Sequence, residues 1–353
     1  MRLKRSSAIV IRLENDDFIF HNVLGQKQFS ANQTALDILR RLYVWTDIEG
    51  LFEAMPGYSR ESIVRAVRQL MDLGAVIDED SAAADQDDDF STNWLWGPLT
   101  AAYHFGTRDG DFISAEDGED LLRQQVKFVP SPPLYTLNTG SSTDVALPLR
   151  ENYPEPFLTM ARRRTDRIML DEPITLEQLA DCLQFSLAIT AVIEDPEIVD
   201  LPLKMTPSGG GRSPYEGYVC VRNVTGLAPG IYHYSAMERT LGVVEAGAPP
   251  PFGSLLGNQV WADTAAAVIF LVANFDRPMW KYHHPAAYRV TVIEAGHIAQ
   301  NISLVATAHG LVANPTAALS QDLAEKTLRV GGVTQSVVYA LVLGKPAASR
   351  PQI

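Results

Sequence analysis

The sequence predicts an α+β fold in which a small winged-helix-like unit precedes a larger domain. Helical segments such as TLEQLADCLQFSLAIT are mixed with strand-like runs such as YEGYVCVRNV, GIYHYS and AAVIFLVANF. A small, acidic stretch without periodicity, Asp78–Phe90, interrupts this mixture. We therefore expect a winged-helix-like domain at residues 1–80, a solvated acidic linker at residues 81–93 and the larger domain at residues 94–353.

Composition excludes several classes of protein. The chain has 353 residues, 46% of them hydrophobic, so a sizeable core can be buried. A net charge of −13 argues against nucleic acid as the main partner, because that binding depends on Lys and Arg. The N-terminus lacks the apolar run of a signal peptide, and no run reaches the roughly 18 apolar residues of a membrane span. The expectation is a soluble cytoplasmic protein without a membrane anchor.

The first 80 residues carry the pattern of a winged helix. SAIVIRL and FIFHNV read as two strands joined by a turn. Ser30 and Gln33 have capping-box spacing at the start of a helix, and a second helix begins after Ser59. Gly74 ends that helix, and AVID reads as a short strand.

A winged helix suggests DNA binding, but its charge does not. Residues 1–80 contain ten Lys plus Arg against twelve Asp plus Glu, and the second helix has no basic face. Binding of an extended peptide at a sheet edge, or support of a dimer, is favoured instead. A purely structural unit remains the alternative.

A glycine-rich loop, PSGGGRSPYEGYV, resembles a phosphate cradle. The Walker pattern requires a Lys where Arg212 follows the glycines, and the dinucleotide fingerprint requires a helix where a strand-like run follows. Both interpretations therefore fail. What remains is a backbone that can approach a flat or anionic ligand, with Ser208 and Arg212 as donors, or an ordinary turn.

Three further segments draw attention. ARRRTDRIM places four arginines and Thr165 within a short run, which suits a phosphate, although a solvated basic helix start would look the same. Lys281 and Tyr282 precede a long helix with an apolar face of Ile293, Ile298, Ile302 and Val305, ended by Gly310. Trp94, Trp96, Tyr103 and Phe105 predict a packed aromatic helix at the start of the larger domain.

These segments, in this order, resemble the SagB-type dehydrogenases of the nitroreductase superfamily. The resemblance rests on RRRTDR, TPSGGGRSPYEGYVCVRNVTGLAPGIYHY and MWKYHHPAAYRVTVIEAGHIAQNISLVATAHGL, and it covers residues 161–353 well. It implies a nitroreductase-like FMN-binding fold and a homodimer with flavin at the interface. It also implies oxidation of thiazolines and oxazolines to azoles in ribosomally made peptides, which would make a precursor peptide and a cyclodehydratase complex the partners.

The resemblance also assigns roles to individual residues. Lys281 and Tyr282 match the catalytic pair of azoline oxidases. The expected FMN ligands lie in the basic motif, the glycine loop, the segment after Gly310 and the C-terminus: Arg163, Arg164, Thr165, Arg167, Ser208, Gly209, Gly210, Arg212, Pro315, Thr316, Ala317 and Arg350.

This sequence departs from the family pattern in places. Thr165 stands where Ser is usual, the loop reads GGGR instead of GGAR, and His283–His284 follow the Lys–Tyr pair where Gly is frequent. The histidines lack the carboxylate or Cys spacing of a metal site, so no metal is expected. Glu294 and His297 lie one turn apart and are interpreted as packing or dimer contacts.

Aromatising an azoline removes a hydride and a proton, so a flavin and a protein base are both required. The pKa values of free Lys and Tyr side chains are about 10, so desolvation or a neighbouring cation must lower the pKa of one of them. The sequence leaves open which of Lys281 and Tyr282 is the base. Two other functions remain possible: an FMN oxidoreductase of the same fold with another substrate, and a flavin-less peptide-binding scaffold.

Overall fold

The structure is a computed structural model that describes residues 1–15, 17–110, 112–113, 115–129, 154–194 and 200–347. Arg350 lies outside these described residues. The helices in the described part of the chain lack the combination of length and apolar character that a membrane crossing requires.

The N-terminal region, as described over residues 1–15 and 17–80, contains two small antiparallel sheets and a set of helices. Its elements in chain order are β1 (Arg2–Arg5), β2 (Ile9–Glu14), β3 (Asp17–Asn22), β4 (Lys27–Ala31), α1 (Gln33–Arg41), β5 (Thr46–Asp47), α2 (Ile48–Ala54), α3 (Arg60–Asp72) and β6 (Val76–Asp78). One sheet has the order β5-β1-β6 and the other β2-β3-β4. The winged-helix assignment of this region stays a prediction.

The predicted hairpin and the predicted second helix of this region are present, whereas the predicted capping box is absent. The predicted hairpin is β2 paired antiparallel with β3. The second predicted helix is α3, and the Ser59 side chain caps it by accepting a hydrogen bond from the Ser62 amide. The capping box at Ser30 is wrong, because Ser30 lies in β4 and Asn32 caps α1 by accepting from the Ala35 amide.

The acidic stretch after residue 80 is a helix, α4 (Ala82–Asn93), so the expectation of a solvated linker is wrong. Ser81 caps it, and its alanines are strong helix formers. Asp87 on this helix is only 1% exposed. Its carboxylate accepts hydrogen bonds from Ser6 Oγ at 2.8 Å and from Ser7 N and Oγ at 2.6 and 2.7 Å. The helix is therefore anchored to the N-terminal sheets.

The elements that follow build the larger domain. They are α5 (Gly97–Gly106), α6 (Ala115–Gln125), α7 (Glu155–Arg162), β7 (Met169–Leu170), β8 (Ile174–Thr175), α8 (Leu176–Leu187), β9 (Ile189–Ile193), β10 (Leu201–Lys204), β11 (Tyr215–Val221), β12 (Val224–Thr225), β13 (Gly230–Ser235), β14 (Thr240–Ala246), α9 (Phe252–Leu255), β15 (Ala267–Asn274), α10 (Asp276–Lys281), α11 (Ala286–Ala308), β16 (Val312–Thr316), α12 (Gln321–Leu328) and β17 (Gln335–Pro346). Within the described residues they include a seven-stranded sheet of order β14-β13-β11-β15-β17-β16, with β7 paired to β17.

The central strand β15 is buried on both faces. Successive side chains of a strand point to opposite sides, so its apolar run supplies two cores. Ile269 and Leu271 face a core shared with α8 and α11. Val268 and Phe270 face a second core shared with α9 and α12. The sheet is thus covered by helices on both sides, as expected for a near-continuous apolar strand.

Helix α11 crosses one face of this sheet and ends at Ala308, two residues before Gly310, which has a φ of +71°. Ile298 and Ile302 lie in the core as expected, but Ile293 is 52% exposed. Five residues of helix rotate by about 140° beyond a full turn, so Ile293 and Ile298 cannot share a face. The inward position one residue later is occupied by Glu294, which is buried.

The aromatic prediction for α5 and its approach is mostly confirmed. Trp94, Trp96 and Phe105 are buried. Trp94 makes edge or tilted ring contacts with Trp96, Phe105 and Phe275, and Trp96 also contacts Phe275. Tyr103 is 64% exposed, so its predicted burial is wrong. The cluster matters for the site because the Trp96 Nε1 group donates a 2.9 Å hydrogen bond to the Tyr282 carbonyl.

We expect Asp87→Ala to lower the free energy of unfolding by about 3 kcal/mol, because it leaves the Ser6 and Ser7 groups and the Lys4 ammonium, 3.3 Å away, without their partner. Urea denaturation followed by circular dichroism measures this change. Asp88→Ala, at the exposed next position, should stay within about 0.5 kcal/mol of the wild type. Equal effects of the two variants would contradict this role for Asp87.

Candidate functional site

The glycine loop, Ser208–Ser213, joins β10 to β11 and contains a single 3₁₀ turn at Gly209–Gly211. Gly210 has a φ of +64°, which favours glycine. A Cβ at Gly210 would lie 2.2 Å from the Tyr282 hydroxyl, and one at Gly209 would lie 2.5 Å from Val290. The glycines therefore permit a close approach, as expected, and the group that approaches is the Tyr282 ring of the same chain.

Lys281 and Tyr282 meet this loop at the end of α10. The Lys281 ammonium donates a 3.1 Å hydrogen bond to the Gly210 carbonyl and lies 5.4 Å from the centre of the Tyr282 ring. Both side chains are exposed. Residues some seventy positions apart in the sequence are thus brought together, which is the convergence that an active site requires.

Glu294 of α11 supports the loop from the inside. Its Oε2 atom accepts hydrogen bonds from Ser208 Oγ at 2.9 Å and from the Gly209 amide at 3.2 Å. The Ser208 hydroxyl in turn accepts a 2.8 Å bond from the Ser213 amide. Interpreting Glu294 as a general packing residue missed this contact. The signal in the sequence was a charged residue at an inward position of the helix.

Arg212 turns away from the loop. Its guanidinium lies 4.7 Å from the centre of the Trp280 ring, and its Nε donates to the Arg277 carbonyl at 3.2 Å. Arg277 is itself bonded to Glu216 and to the Ser213 carbonyl. Arg212 therefore braces α10 against the loop in this structure, and its role as a flavin ligand stays a prediction.

A cavity of about 330 Å³ opens between the glycine loop and the start of α11. Gly210, Tyr282, Ala287 and Val290 line it, and Glu294 also reaches it. The lining is mainly apolar, with Arg289 as an exposed cation. Such a pocket, with a few polar groups, suits a flat organic ring.

The basic motif follows α7 as an extended segment. The Asp166 amide donates to Asn314 Oδ1 at 2.9 Å, and Asn314 Nδ2 donates back to the Asp166 carbonyl at 2.6 Å. This reciprocal pair fastens the motif to β16. Asn314 was missed, although a buried Asn inside an apolar strand was a visible signal. Within the described part of the chain, the Arg163 guanidinium and the Thr165 hydroxyl have no hydrogen-bond partner.

The other members of the motif and the β16 segment have defined surroundings. Arg164 bonds to the backbone carbonyls of Ala161 and Arg163, and the Arg167 guanidinium lies 5.6 Å from the centre of the Trp261 ring. Thr316 Oγ1 accepts hydrogen bonds from Gln259 Nε2 and from the Ala318 amide, at 2.9 and 3.1 Å. Pro315 pairs with Leu341 of β17, and Ala317 follows directly. The basic motif and Pro315–Ala317 are therefore neighbours.

The basic motif and the glycine loop lie at different ends of the sheet. The loop leads into Tyr215, which pairs with Ala273, and Ala273 pairs with Ser336 near the start of β17. The motif is bonded to Asn314, which pairs with Val342, six residues further along β17. At about 3.3 Å per residue, the two are offset by about 20 Å along the strands. One chain therefore does not bring all the expected ligands together.

Burial shifts the pKa values of Glu294 and of the neighbouring Lys204. Burial raises the pKa of the Glu294 carboxyl above the ordinary value, while the bonds from Ser208 and Gly209 and the charges of Lys204 and His297 act in the opposite direction. Burial likewise lowers the pKa of the Lys204 ammonium. Within the described ranges, no group of three or more His, Cys, Asp or Glu side chains could hold a metal ion.

Comparison with known proteins identifies the family. The profile of the nitroreductase family matches residues 160–345. The chain belongs to the nitroreductase family. Proteins of this family are generally flavin-dependent oxidoreductases, and both the α+β fold class and the resemblance drawn from the sequence are confirmed.

Two relatives illustrate the match. The trifolitoxin-processing protein TfxB of Rhizobium leguminosarum bv. trifolii is 24% identical over 308 residues, covering 82% of each chain. The putative nitroreductase MJ1384 of Methanocaldococcus jannaschii is 29% identical over 176 residues, or 49% of this chain and 82% of that protein.

Solved structures are similar as well. A chain of the E. coli microcin synthetase McbBCD complex with truncated pro-MccB17 bound has a TM-score of 0.48 and 19% identity, and the match covers 77% of this chain and 95% of that one. A putative nitroreductase from Ralstonia eutropha has a TM-score of 0.46 and 20% identity, covering 63% of this nitroreductase-family chain and all of the other.

We expect Glu294→Gln to become more stable relative to the wild type as the pH rises from about 5 to about 8. A carboxyl whose pKa is raised by folding contributes fully below its unfolded pKa, and this contribution is lost as the pH rises through its folded pKa. Glutamine cannot titrate, so the difference in melting temperature should grow with pH. The exposed Glu238→Gln is the control and should show no such trend. A difference that stays constant over this range would contradict the expectation.

Proposed function

We propose that this protein is an FMN-dependent dehydrogenase that oxidises azoline rings to azoles in a ribosomally made peptide. The observation that carries the proposal is the convergence of Lys281 and Tyr282 on Gly210, beside an apolar cavity of ring size. Membership of the nitroreductase family supports the flavin chemistry. The relative TfxB is described as a trifolitoxin-processing protein, which supports a role in peptide maturation.

The residues present fit FMN. Arg163 and Thr165 offer a guanidinium and a hydroxyl that form no hydrogen bond with a described residue, and Arg167 adds an exposed cation. Guanidinium and hydroxyl groups are suited to a phosphate. We propose that these residues, with Arg164 and Arg350, hold the phosphate, while the backbone of Pro315–Ala317 and the glycine loop with Ser208 and Arg212 contact the rest of the cofactor.

We infer that the working form is a homodimer with the flavin between subunits. The offset of about 20 Å between the basic motif and the glycine loop supports this arrangement. In a dimer, the motif of one chain and the loop of the other could border the same cofactor. Sedimentation that detects only monomers in the presence of FMN would argue against it.

Bound FMN would supply the acceptor for the hydride that leaves the azoline ring. The chain must take the accompanying proton. We propose that Lys281 or Tyr282 does so, because Tyr282 lines the cavity and Lys281 is bonded to Gly210, which also lines it. A neutral Lys281 amine could keep its N–H bond to the Gly210 carbonyl and still accept a proton at its lone pair. The bond from Trp96 to the Tyr282 carbonyl holds the backbone of the pair in place.

The N-terminal region is the proposed contact for the peptide substrate. Strand β4 pairs only with β3 within its described sheet, so its other edge is open. A groove of about 330 Å³ runs between this edge and α3, lined by Phe29, Ala31, Arg65 and Gln69 among others. An extended peptide could add as a further strand here, with side chains in the groove.

Substituting Arg163 tests the cofactor assignment. We expect Arg163→Ala to weaken FMN binding by about 10- to 100-fold, because a charged hydrogen bond to the phosphate is lost. Flavin fluorescence titration measures the affinity. Arg162→Ala is the matched control, since Arg162 is bonded to Glu155 and should not affect FMN. A colourless protein without FMN affinity would favour a peptide-binding scaffold.

Substituting Lys281 tests the chemistry. We expect Lys281→Ala to retain FMN and to form azoles at least about 100-fold more slowly, as for the loss of an acid–base group. Mass spectrometry of an azoline peptide, which loses two hydrogen atoms, measures the reaction. Lys326→Ala, an exposed lysine on α12, should be unaffected. Full activity of both Lys281→Ala and Tyr282→Phe would refute the assignment, and an FMN-bound wild type inert on azolines would indicate another substrate.

The peptide groove is tested by a matched pair on α3. Gln69→Trp should fill the groove and weaken binding of the precursor peptide substrate by about tenfold. Arg68→Trp introduces the same side chain at an exposed position outside the groove and should bind like the wild type. Fluorescence anisotropy of the labelled peptide gives both affinities. Unchanged binding by Gln69→Trp would exclude this groove.

A further inference from the structure

Glu294 is the buried charge that lies directly beneath the glycine loop. The residue is 5% exposed. One carboxylate oxygen accepts hydrogen bonds from both Ser208 Oγ and the Gly209 amide. The Ser208 hydroxyl in turn accepts a hydrogen bond from the Ser213 amide. A single side chain therefore reaches both ends of the loop.

The other side of the loop carries the Lys–Tyr pair. Lys281 donates to the Gly210 carbonyl, and the Tyr282 ring is in contact with Gly210. Gly210 and Gly211 both have positive φ, and loop glycines of this kind have many alternative conformations. The loop needs an external restraint to keep one conformation, and Glu294 provides hydrogen bonds that do so.

Helix α11, which carries Glu294, is fastened to the sheet. Glu294 lies one turn after Thr291, whose carbonyl accepts a 2.9 Å hydrogen bond from the buried Tyr215 hydroxyl. Tyr215 begins β11, just beyond the loop. A side chain on a helix fastened to the sheet can hold a loop more closely than a side chain on another loop.

We infer that Glu294 is a positioning residue for Lys281 and Tyr282, acting through Ser208 and Gly209 to hold the loop on which the pair rests. The consequence for catalysis rests on the proposed function, whereas the effect on the loop does not. A carboxylate is unfavourable at a buried position unless it is bonded, so packing alone would be better served by an apolar residue.

Hydrogen exchange of the purified protein tests the restraint without substrate. In Glu294→Ala, amides of residues 208–213 should exchange about tenfold faster than in the wild type, because the bonds that protect them are lost. Glu294→Gln keeps an oxygen acceptor and should stay within about threefold. Ser303→Ala removes another buried polar group of α11, bonded only to its own helix, and should leave the loop unchanged.

Ser208→Ala serves as a second variant in case Glu294→Ala disturbs the whole domain. It removes the hydroxyl link while leaving α11 intact, and it should also accelerate exchange in the loop. Wild-type exchange of the loop in both Glu294→Ala and Ser208→Ala overturns the inference. Exchange in Glu294→Gln as fast as in Glu294→Ala overturns it too.

Turnover then tests the consequence for the pair. At saturating FMN, Glu294→Ala should reduce kcat for azole formation by about tenfold or more with unchanged KM, and Glu294→Gln should restore it. A loosened loop with unaltered kcat would show that Glu294 does not position the pair. If the wild type forms no azoles, the proposed function fails, and the exchange data still decide whether Glu294 holds the loop.

Discussion

Burial of β15 on both faces is the constraint on which the rest of the larger domain depends. Alternate residues of this strand supply two cores, so helices must cover both sides of the sheet. One of these helices is α11, which packs against the face containing Ile269 and Leu271. The position of α11 in turn decides where Glu294 lies, and Glu294 meets the loop that precedes β11. The candidate site is therefore a consequence of how the central strand is buried.

The site is assembled from three segments that are distant in sequence. The glycine loop lies between α11 on the inside and the Lys281–Tyr282 pair on the outside. Trp96, from the aromatic cluster ahead of α5, is a further segment that holds the backbone of Tyr282 through a hydrogen bond to its carbonyl. The contacts of Glu294 and Lys281 each join a backbone group of the loop to a side chain on a helix, an arrangement that keeps flexible glycines in one conformation.

Several local patterns in the sequence gave correct predictions where a short-range rule applies, although the capping box predicted at Ser30 is absent. The hairpin of β2 and β3, the Ser59 cap of α3 and the stop at Gly310 all follow such rules. The rules failed where tertiary contacts decided. Residues 81–93 had the composition of a solvated linker, yet Asp87 found donors in Ser6 and Ser7 and became buried. Composition does not reveal partners some eighty residues away.

The amino-acid order predicted the α+β class through its mixture of helical and strand-like runs, and the family through the resemblance carried by segments such as Arg163–Arg167 and Lys281–Tyr282. The order alone did not predict which groups come into contact. Strand register and helix rotation decide three features of the site. Gly210 contacts Tyr282, Glu294 is hydrogen-bonded to the glycine loop, and the basic motif lies about 20 Å from that loop along the sheet. Those are set by the packing of both cores at once, which is a property of the whole chain.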